Sequence, residues 1–519
     1  MTAADPCFLS VAEAAALIAA KRLSPVELTR AYLDRIERLN GTLHAYVRVL
    51  HDEALAAARA AEAEIMAGRY RGPLHGIAIG LKDIYDTAGV PTEGGSKSCL
   101  GRIPANDATT TRLLKEAGVV MLGKLTTWEF AIGGTAFDTP FPPARNPWNI
   151  DHDPAGSSSG SGAAVAAGLC AMAMGSDTGG SIRWPAAWCG LAGLKPTYGR
   201  VSRAGIMPLS FSLDHAGPLT WTVEDAAIAL QAIAGHDPSD PASANHPIPD
   251  YRAALVASDL KGVRLGVDRS MFERDCVASE EMLAAFNKSI DVLRELGASI
   301  ADIELPPLAL YNATAFLIAR GEGFAIHEKT LRERPQDYGA LARVRLTIGA
   351  YVRASDMVQA TRRRLMLVEA TAAAMRGLDA ILLPTAPDPA PRLADLAPYF
   401  GNQRPTYMRP FNLTGQPALS VCNGFDKAGL PLSLQIVGRC FDEAMVLRIG
   451  NAFERATPWR ERRPPLSGRL VDRHLSEVLI PALRRLEAFD LGRHRARVQI
   501  VHDEGPGRFV DHDRMGLCQ

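Results

Sequence analysis

The pattern of apolar and polar positions gives the first 70 residues a helical character. Apolar residues there repeat at helical spacing, most clearly from Leu28 to Tyr32 and onward. Two helix starts stand nearby, because Ser10 and Ser24 are each followed three residues later by glutamate, which is the pattern of a capping box. We therefore predict an N-terminal helical part over residues 1–70 that packs on the rest of the protein.

Beyond residue 72, short apolar runs alternate with patterns of helix length. The runs predict strands at 77–81, 119–122, 169–174, 263–267, 381–383, 418–421 and 432–437. The longer patterns predict helices at 109–117, 223–234, 280–296, 356–376 and 442–456. This alternation predicts an α/β fold with one central sheet covered by helices on both faces.

The charge balance narrows the choice of partners. The 519 residues carry 57 Lys plus Arg against 57 Asp plus Glu, so the formal net charge is zero. Nucleic acids and anionic membranes attract proteins that have a basic surplus. We therefore expect no nucleic-acid partner and no membrane partner.

The cysteines and the N-terminus indicate a cytoplasmic protein. The eight cysteines are scattered and include no Cys-x-x-Cys pair, which is typical of reduced thiols. No Cys or His cluster has the spacing of metal ligands, so we expect no metal and no cofactor. Glu13 interrupts the first apolar stretch, and no run of 18 apolar residues follows anywhere in the chain.

A segment rich in glycine and serine carries the candidate chemistry. Two stretches of small residues, 155–162 and 175–181, flank an alanine-rich helix and an apolar strand. The first stretch has no lysine at the position that a phosphate loop requires, and it lacks the third glycine of a dinucleotide fingerprint. It does contain Gly-x-Ser-x-Gly at 156–160, but the residues before it form a poor strand, so the match to a nucleophile elbow is weak.

Longer motifs give a more specific interpretation. The chain reads Gly-Ser-Asp-Thr-Gly-Gly-Ser-Ile-Arg at 175–183 and Gly-Leu-Lys-Pro-Thr-Tyr-Gly-Arg-Val-Ser at 193–202. Further motifs lie at 72–83, 123–130, 146–148, 410–420 and 429–438. Together they resemble, in order, the signature of the amidase signature family over roughly residues 8–467. The resemblance implies an amidase-signature fold with a large mixed sheet and a catalytic domain at 71–467. It leaves 468–519 as a C-terminal helix and tail of unknown role.

The resemblance also implies a Ser–Ser–Lys triad. The family's base matches Lys82, its bridging serine matches Ser157 and its nucleophile matches Ser181. In the family, a non-proline cis peptide precedes the bridging serine. The chain departs from the family's usual glycines at Ala155 and Ser159, and neither position belongs to the triad.

The chemistry of these residue types fits an acyl transfer. A serine hydroxyl is a weak nucleophile and needs an adjacent base. A lysine can be that base only when it is neutral, so its pKa must fall from about 10.4 towards 7–8 by burial. Lys82 follows the apolar run 77–81, which places it at the end of a buried strand.

Neighbouring residues receive supporting roles. Two consecutive glycines let the backbone present several N–H groups, so we predict an oxyanion hole at Thr178, Gly179 and Gly180. Asp177 and Arg183 flank the nucleophile and are predicted to orient it or to form a structural ion pair. Trp128 and Ile132 are candidates for a substrate pocket, although aromatic and aliphatic residues near such sites more often belong to the core.

Three functions remain open. The first is an amidase that cleaves a small-molecule carboxamide, anilide or carbamate, with a possible homodimer as its assembly. The second is the glutaminase component of a tRNA-dependent amidotransferase, which recognises the charged backbone of glutamine with an acidic residue. This second function is less favoured at this stage because residues 402–423 contain no Asp or Glu. The third is a catalytically inactive binding protein on the same scaffold.

Overall fold

A mixed sheet of eleven strands forms the centre of the protein. The computed structural model describes residues 5–396 and 405–466. In chain order the strands are β1 (Tyr46–Val49), β2 (Ala78–Lys82), β3 (Val120–Leu125), β4 (Met172–Asp177), β5 (Ala192–Lys195), β6 (His215–Thr220), β7 (Arg264–Val267), β8 (Ser299–Asp302), β9 (Ala380–Pro384), β10 (Ala418–Phe425) and β11 (Pro431–Gly438). Across the sheet their order is β1-β3-β2-β4-β6-β5-β10-β11-β9-β7-β8.

Helices surround this sheet. The described residues contain α1 (Val11–Ala19), α2 (Pro25–Leu43), α3 (His51–Met66), α4 (Thr109–Glu116), α5 (Ser159–Ala166), α6 (Arg183–Cys189), α7 (Val223–Ile233), α8 (Glu280–Glu295), α9 (Leu308–Glu333), α10 (Ala340–Thr347), α11 (Ala354–Ala374), α12 (Arg409–Leu413) and α13 (Glu443–Arg455). Ser10 caps α1 in the predicted reciprocal arrangement with Glu13. The large mixed sheet with helices around it confirms the predicted fold class.

The order of the central strands brings the candidate residues together. Strand β2 pairs in parallel with both β3 and β4, so the carboxyl ends of these strands lie at the same edge. Lys82 is the last residue of β2 and Asp177 is the last residue of β4. Strand β6 runs antiparallel to β4 on its other side. The sheet therefore places the lysine of the first motif beside the Gly/Ser segment that follows β4.

The N-terminal helices belong to the same hydrophobic cluster as the sheet. Val11, Leu28 and Tyr32 are fully buried in the cluster that also contains Ile77 and Ile79. This packing gives the N-terminal helices a role in supporting β2. The C-terminal helix and tail predicted at 468–519 lie outside the described residues. Within 5–396 and 405–466, no helix is both long and apolar enough to cross a bilayer.

Candidate active site

Lys82 stands at the centre of the candidate site. Its side chain is fully buried at the end of β2. Lys82 Nζ donates to Ser157 Oγ at 2.6 Å and to Ser176 Oγ at 2.9 Å. The parallel pairing of β2 with β4 accounts for the second contact, because the pairing of Leu81 with Met174 brings Lys82 to the end of β4 that carries Ser176. The amine is thus held between two hydroxyl groups.

Burial changes the acid–base behaviour of this amine. It lowers the pKa of Lys82 from its ordinary value of 10.5 to about 7, and the carboxylates of Asp214 and Asp177 oppose only part of that shift. Desolvation disfavours the charged form of a lysine, which is why the direction is downward. A pKa near 7 gives a substantial neutral fraction at neutral pH, and a neutral amine can accept a proton.

Two further lysines are buried but have different surroundings. Lys124 Nζ donates to Thr92 Oγ1 at 2.8 Å and lies 3.9 Å from the carboxylate of Asp83. Lys195 donates to backbone carbonyls, including that of Gln416. Lys82 is therefore the buried lysine of the described chain that donates to serine hydroxyls.

The backbone around Ser157 is fixed from two sides. The peptide bond between Gly156 and Ser157 is cis, which is the geometry that the resemblance implies. The backbone N–H of Trp128 donates to the Ser157 carbonyl at 3.0 Å. A Cβ on Gly156 would lie 2.2 Å from the indole ring of Trp128, so only glycine fits there. Trp128 therefore supports the backbone at Ser157.

Ser181 lies in the turn between β4 and α6 and is partly exposed. The Ser158 N–H donates to the Ser181 carbonyl at 3.4 Å, which joins the two serine segments. Gly180 adopts a φ of +126°, and a Cβ there would lie 2.7 Å from Met408 Sδ. Glycine is therefore required at position 180, both because φ is positive there and because a Cβ would collide with Met408.

The carboxylate of Asp177 organises this turn. It accepts hydrogen bonds from the N–H of Gly180 at 2.7 Å and from that of Ile182 at 3.2 Å. One of the three predicted oxyanion donors, the Gly180 N–H, already donates to Asp177. In the described part of the chain, no hydrogen bond uses the N–H of Thr178, Gly179 or Ser181. These three groups are the available donors for an oxyanion.

Asp177 and Arg183 form a buried ion pair. Arg183 Nε and Nη2 both lie 2.9 Å from the Asp177 carboxylate, and neither side chain is exposed. Burial alone would raise the pKa of Asp177, but the Arg183 guanidinium holds that pKa well below its usual range. Arg183 also donates to Gln435 Oε1 and Asn412 Oδ1, both at 2.7 Å. The pair therefore ties the turn that contains Ser181 to β11 and α12.

Sequence reasoning missed several of these residues. Ser176 lies inside the motif at 175–183, two positions before Thr178, and strand pairing with β2 could have placed it beside Lys82. Asp214 accepts a hydrogen bond from Thr178 Oγ1 at 2.5 Å, but nothing in its local sequence indicates this contact. Asn412 lies in the downstream motif, and only the fold brings it to the ion pair.

The two predicted pocket residues occupy different places. Trp128 is partly buried against the site, whereas Ile132 is 6% exposed in a smaller hydrophobic cluster with Leu331 and Leu346. A cavity of about 440 Å³ adjoins the site, and its walls include Ser176, Thr178 and Met207 but not these two residues. The described residues contain no group of three or more His, Cys, Asp or Glu side chains arranged to hold a metal ion.

The comparisons with known proteins agree on one family. The family model described as Amidase matches residues 27–447. The A subunit of the glutamyl-tRNA(Gln) amidotransferase of Chloroflexus aggregans is 40% identical over 89% of this chain and 99% of its own length. The protein of the same name from Myxococcus xanthus is 42% identical over 88% of this chain and 99% of its length.

A solved structure supports the same relationship. It is described as a vestigial protein complex that reveals the origins of an s-triazine catabolic enzyme. Its TM-score is 0.80 with 32% identity, and the match covers 86% of this chain and 98% of that one.

These relatives correct the predicted partners. The expectation of a small-molecule amide as the partner, with no nucleic acid and a possible homodimer, is contradicted by relatives of nearly full length that are named as subunits of an enzyme of glutamyl-tRNA(Gln). The physical reason is that net charge averages over the whole surface and does not report protein interfaces or local patches. The prediction of an amidase is confirmed. With its signature motifs, its fold and a family match over most of its length, the chain belongs to the amidase signature family and is an enzyme of amide C–N bonds.

Proposed function

We propose that this chain hydrolyses a primary carboxamide through an acyl-enzyme on Ser181, as the amide-cleaving component of an amidotransferase complex. The observation that carries the chemistry is the 2.6 Å hydrogen bond between the buried amine of Lys82 and Ser157 Oγ. A lysine with a pKa near 7 in contact with a serine is suited to accept a proton from it. An inactive binding protein would have no need for so costly an arrangement.

The first half of the reaction forms the acyl-enzyme. Neutral Lys82 takes the proton of Ser157 while Ser157 takes the proton of Ser181, and Ser181 Oγ forms a bond to the carbonyl carbon. The proton then returns from Lys82 through Ser157 to the amide nitrogen. The C–N bond breaks and ammonia leaves, because protonation turns a very basic group into a good leaving group.

The second half releases the acid. Water attacks the acyl carbon and gives its proton to Ser157, which passes a proton to Lys82. As the bond to Ser181 breaks, a proton returns from Lys82 through Ser157 to Ser181 Oγ, and the carboxylic acid leaves. During both halves the negative oxygen would accept from the N–H groups of Thr178, Gly179 and Ser181. Because Asp177 fixes the turn before the reaction, these donors need no reorganisation when the charge develops.

The names of the relatives support the assignment to a complex. Two proteins with 40% and 42% identity, each matched over 99% of its length, are named as A subunits of glutamyl-tRNA(Gln) amidotransferase. The similar solved structure is also described as part of a protein complex. We therefore propose that the ammonia released at Ser181 passes to partner subunits that amidate glutamyl-tRNA. This alternative is better supported than a free anilide or carbamate hydrolase.

The test is to isolate the protein with its partners. A tagged chain is purified from its own cells, and the complex is assayed for ammonia release from glutamine and other carboxamides, with and without glutamyl-tRNA. For the wild type we expect co-purifying subunits, ammonia release and amidated tRNA. For Ser181→Ala we expect no turnover. A chain that purifies alone and hydrolyses amides without any effect of tRNA would contradict the assignment to a complex. Turnover retained in Ser181→Ala would contradict the chemistry.

A further inference from the structure

Asp214 directly precedes strand β6 and contacts the turn that contains Ser181. Strand β6 pairs antiparallel with β4, and this pairing sets His215, the first residue of β6, opposite Asp177 at the end of β4. The Asp214 carboxylate accepts a hydrogen bond from Thr178 Oγ1 at 2.5 Å. The two strands therefore bring an acidic side chain to the first residue of the predicted oxyanion hole.

Further hydrogen bonds hold the carboxylate of Asp214 in place. Its second oxygen accepts from the N–H of Leu209 at 2.8 Å and from that of Ser210 at 2.9 Å. Ser210 Oγ in turn donates to the carboxylate of Glu322 on α9, and Ser212 Oγ donates to the same group at 2.7 Å. The loop before β6 is thus tied to α9, which gives the Asp214 carboxylate a fixed position.

The peptide group between Asp177 and Thr178 is fixed as well. Its carbonyl oxygen accepts from Asn412 Nδ2 at 2.8 Å, and His215 Nδ1 faces the same oxygen at 3.2 Å. A trans peptide is planar, so a fixed carbonyl also fixes the direction of the N–H on its opposite side. That N–H belongs to Thr178, and no described residue accepts from it. Thr178 is thus held by its side chain through Asp214, while its N–H can receive a negative oxygen.

Asp214 also supplies negative charge near the base. Ser176, which accepts from Lys82 Nζ, and Asp214 both line the cavity of about 440 Å³. The carboxylates of Asp214 and Asp177 raise the pKa of Lys82 against the larger effect of burial. Arg183 compensates Asp177 in the buried ion pair. Asp214, by contrast, takes part in no ion pair of the described residues.

The other ionisable groups around Asp214 are engaged elsewhere or uncharged. Arg203, which lines the same cavity, lies 3.2 Å from the carboxylate of Asp240. Burial holds the pKa of His215 well below its usual value, so that this neighbour is neutral. Burial raises the pKa of Asp214, and the three hydrogen bonds to its carboxylate oppose that shift. Removal of the charge of Asp214 therefore acts on Lys82 without breaking an ion pair.

We propose that Asp214 is a positioning residue for the amide reaction, because it holds Thr178 as an oxyanion donor and places a negative charge near Lys82. A donor that is fixed in advance stabilises the developing oxyanion without reorganisation in the transition state. Once Lys82 has taken a proton it is a buried cation, and a nearby carboxylate stabilises that form. The inference rests on the proposed hydrolysis and adds a residue to it.

Fluorophosphonate labelling of Ser181 tests this role without a natural substrate. The reagent phosphonylates an activated serine, so the rate depends on the base, and the tetrahedral adduct places an oxygen in the oxyanion hole. The full chain, with any subunits that co-purify, is labelled between pH 5 and 9, which gives a plateau rate and the midpoint of the acid limb. Absence of labelling in the wild type would overturn the proposed hydrolysis and this inference with it, whereas the variants below test the inference alone.

Two variants of Thr178 test the oxyanion donor. Thr178→Val keeps the shape of the side chain and removes the hydroxyl that donates to Asp214. We expect its plateau rate to fall at least tenfold while the midpoint stays in place. Thr178→Ser keeps a hydroxyl and should recover most of this loss. A wild-type plateau in Thr178→Val, or an equal loss in both variants, would overturn the proposal.

Asp214→Asn tests the charge. The amide oxygen can still accept from the two backbone N–H groups, and the amide nitrogen can donate to Thr178 Oγ1. We expect the midpoint to move to lower pH by about 0.5 unit or more, because the ammonium form of Lys82 loses a stabilising charge. A merely structural role would lower the rate without moving the midpoint. An unmoved midpoint, or one at higher pH, would overturn the proposal.

Asp268→Asn is the matched control. Its carboxylate also accepts from one hydroxyl and two N–H groups, which belong to Ser270 and Leu305. Asp268 follows β7, and five strands separate β7 from β4 in the sheet. We expect the wild-type plateau and midpoint in this variant. A midpoint that moves as far as in Asp214→Asn would mean that the effect does not depend on the position of Asp214, which would overturn the proposal.

Discussion

Lys82 Nζ donates to Ser176 Oγ at 2.9 Å, in addition to its hydrogen bond with Ser157. The contact follows from the parallel pairing of β2 and β4, which ends both strands at one edge. An acceptor on the amine favours its charged form, and it also restricts the direction in which the amine can take up a proton. Ser176 is therefore a positioning residue for Lys82.

Replacement of Ser176 tests this role. Ser176→Ala removes an acceptor, so the pKa of Lys82 should fall further and the acid limb of the pH profile should move to lower pH. We expect kcat to fall by about tenfold because the amine is less well oriented. The readout is kcat and kcat/KM between pH 5 and 9.

A matched control uses another buried serine. Ser161 Oγ donates to the Met174 carbonyl on the same strand, and Ser161→Ala should leave the pH profile in place. If Ser176→Ala keeps both the wild-type rate and the wild-type profile, Ser176 does not position Lys82.

The pH dependence of the wild type follows from the pKa of Lys82. That pKa is lowered to about 7 in the folded protein. The amine is neutral above this pH and protonated below it, so only the higher pH range has a competent base. We expect kcat/KM to fall as pH decreases through 7 and to reach a tenfold decrease for each pH unit below it. A rate that stays constant from pH 9 down to pH 5.5 would contradict the assigned base.

The contact between Gly156 and Trp128 predicts a strong effect of one methyl group. A Cβ on Gly156 would lie 2.2 Å from the indole, so Gly156→Ala must displace the ring or the backbone before Ser157. We expect at least a tenfold loss of kcat and about 1–3 kcal/mol lower stability. Denaturant unfolding and amide turnover measure the two effects.

A glycine with open surroundings provides the control. Nothing lies within 4 Å of a Cβ on Gly41, which is exposed on α2. Gly41→Ala should keep full activity and unchanged or slightly higher stability. Full activity in Gly156→Ala would mean that the backbone before Ser157 tolerates movement.

The ion pair of Asp177 and Arg183 predicts a large loss of stability. Asp177→Asn removes the negative charge and leaves Arg183 buried without compensation. The cost of breaking such a pair is about 3–5 kcal/mol, and urea unfolding should show it. Asp356→Asn, at an exposed ion pair with Arg353, should have no measurable effect. A change of less than 1 kcal/mol in Asp177→Asn would show that the pair contributes little.

The sequence predicts much of the fold because its strongest patterns are local. Strands β2 and β9 are mainly apolar, whereas β11 has Ser433 and Gln435 between apolar residues. The observed ends of all three strands lie close to the predicted ones. The pattern does not predict strand β6, because Gly217 and Pro218 interrupt it. It does not predict strand β8 either, because the residues of that strand are mostly exposed. Both strands form through pairing with neighbours, which a local pattern does not contain.

The candidate site was likewise predictable only in part. The resemblance supplied Lys82, Ser157 and Ser181, and the structure brings the amine of Lys82 to the hydroxyl of Ser157. The use of the Gly180 N–H by Asp177 could not be predicted, because it depends on how the turn folds.

The proposed mechanism requires Lys82 and Ser157 to activate Ser181 as the nucleophile. A fluorophosphonate probe, which forms a covalent bond with activated serines, tests it when peptide mass spectrometry locates the adduct. We expect an adduct on Ser181 in the wild type, no adduct there in Ser181→Ala, and labelling slowed at least a hundredfold in Lys82→Ala. Absence of labelling on Ser181 under conditions that label a related amidase, or an unchanged labelling rate in Lys82→Ala, would contradict it.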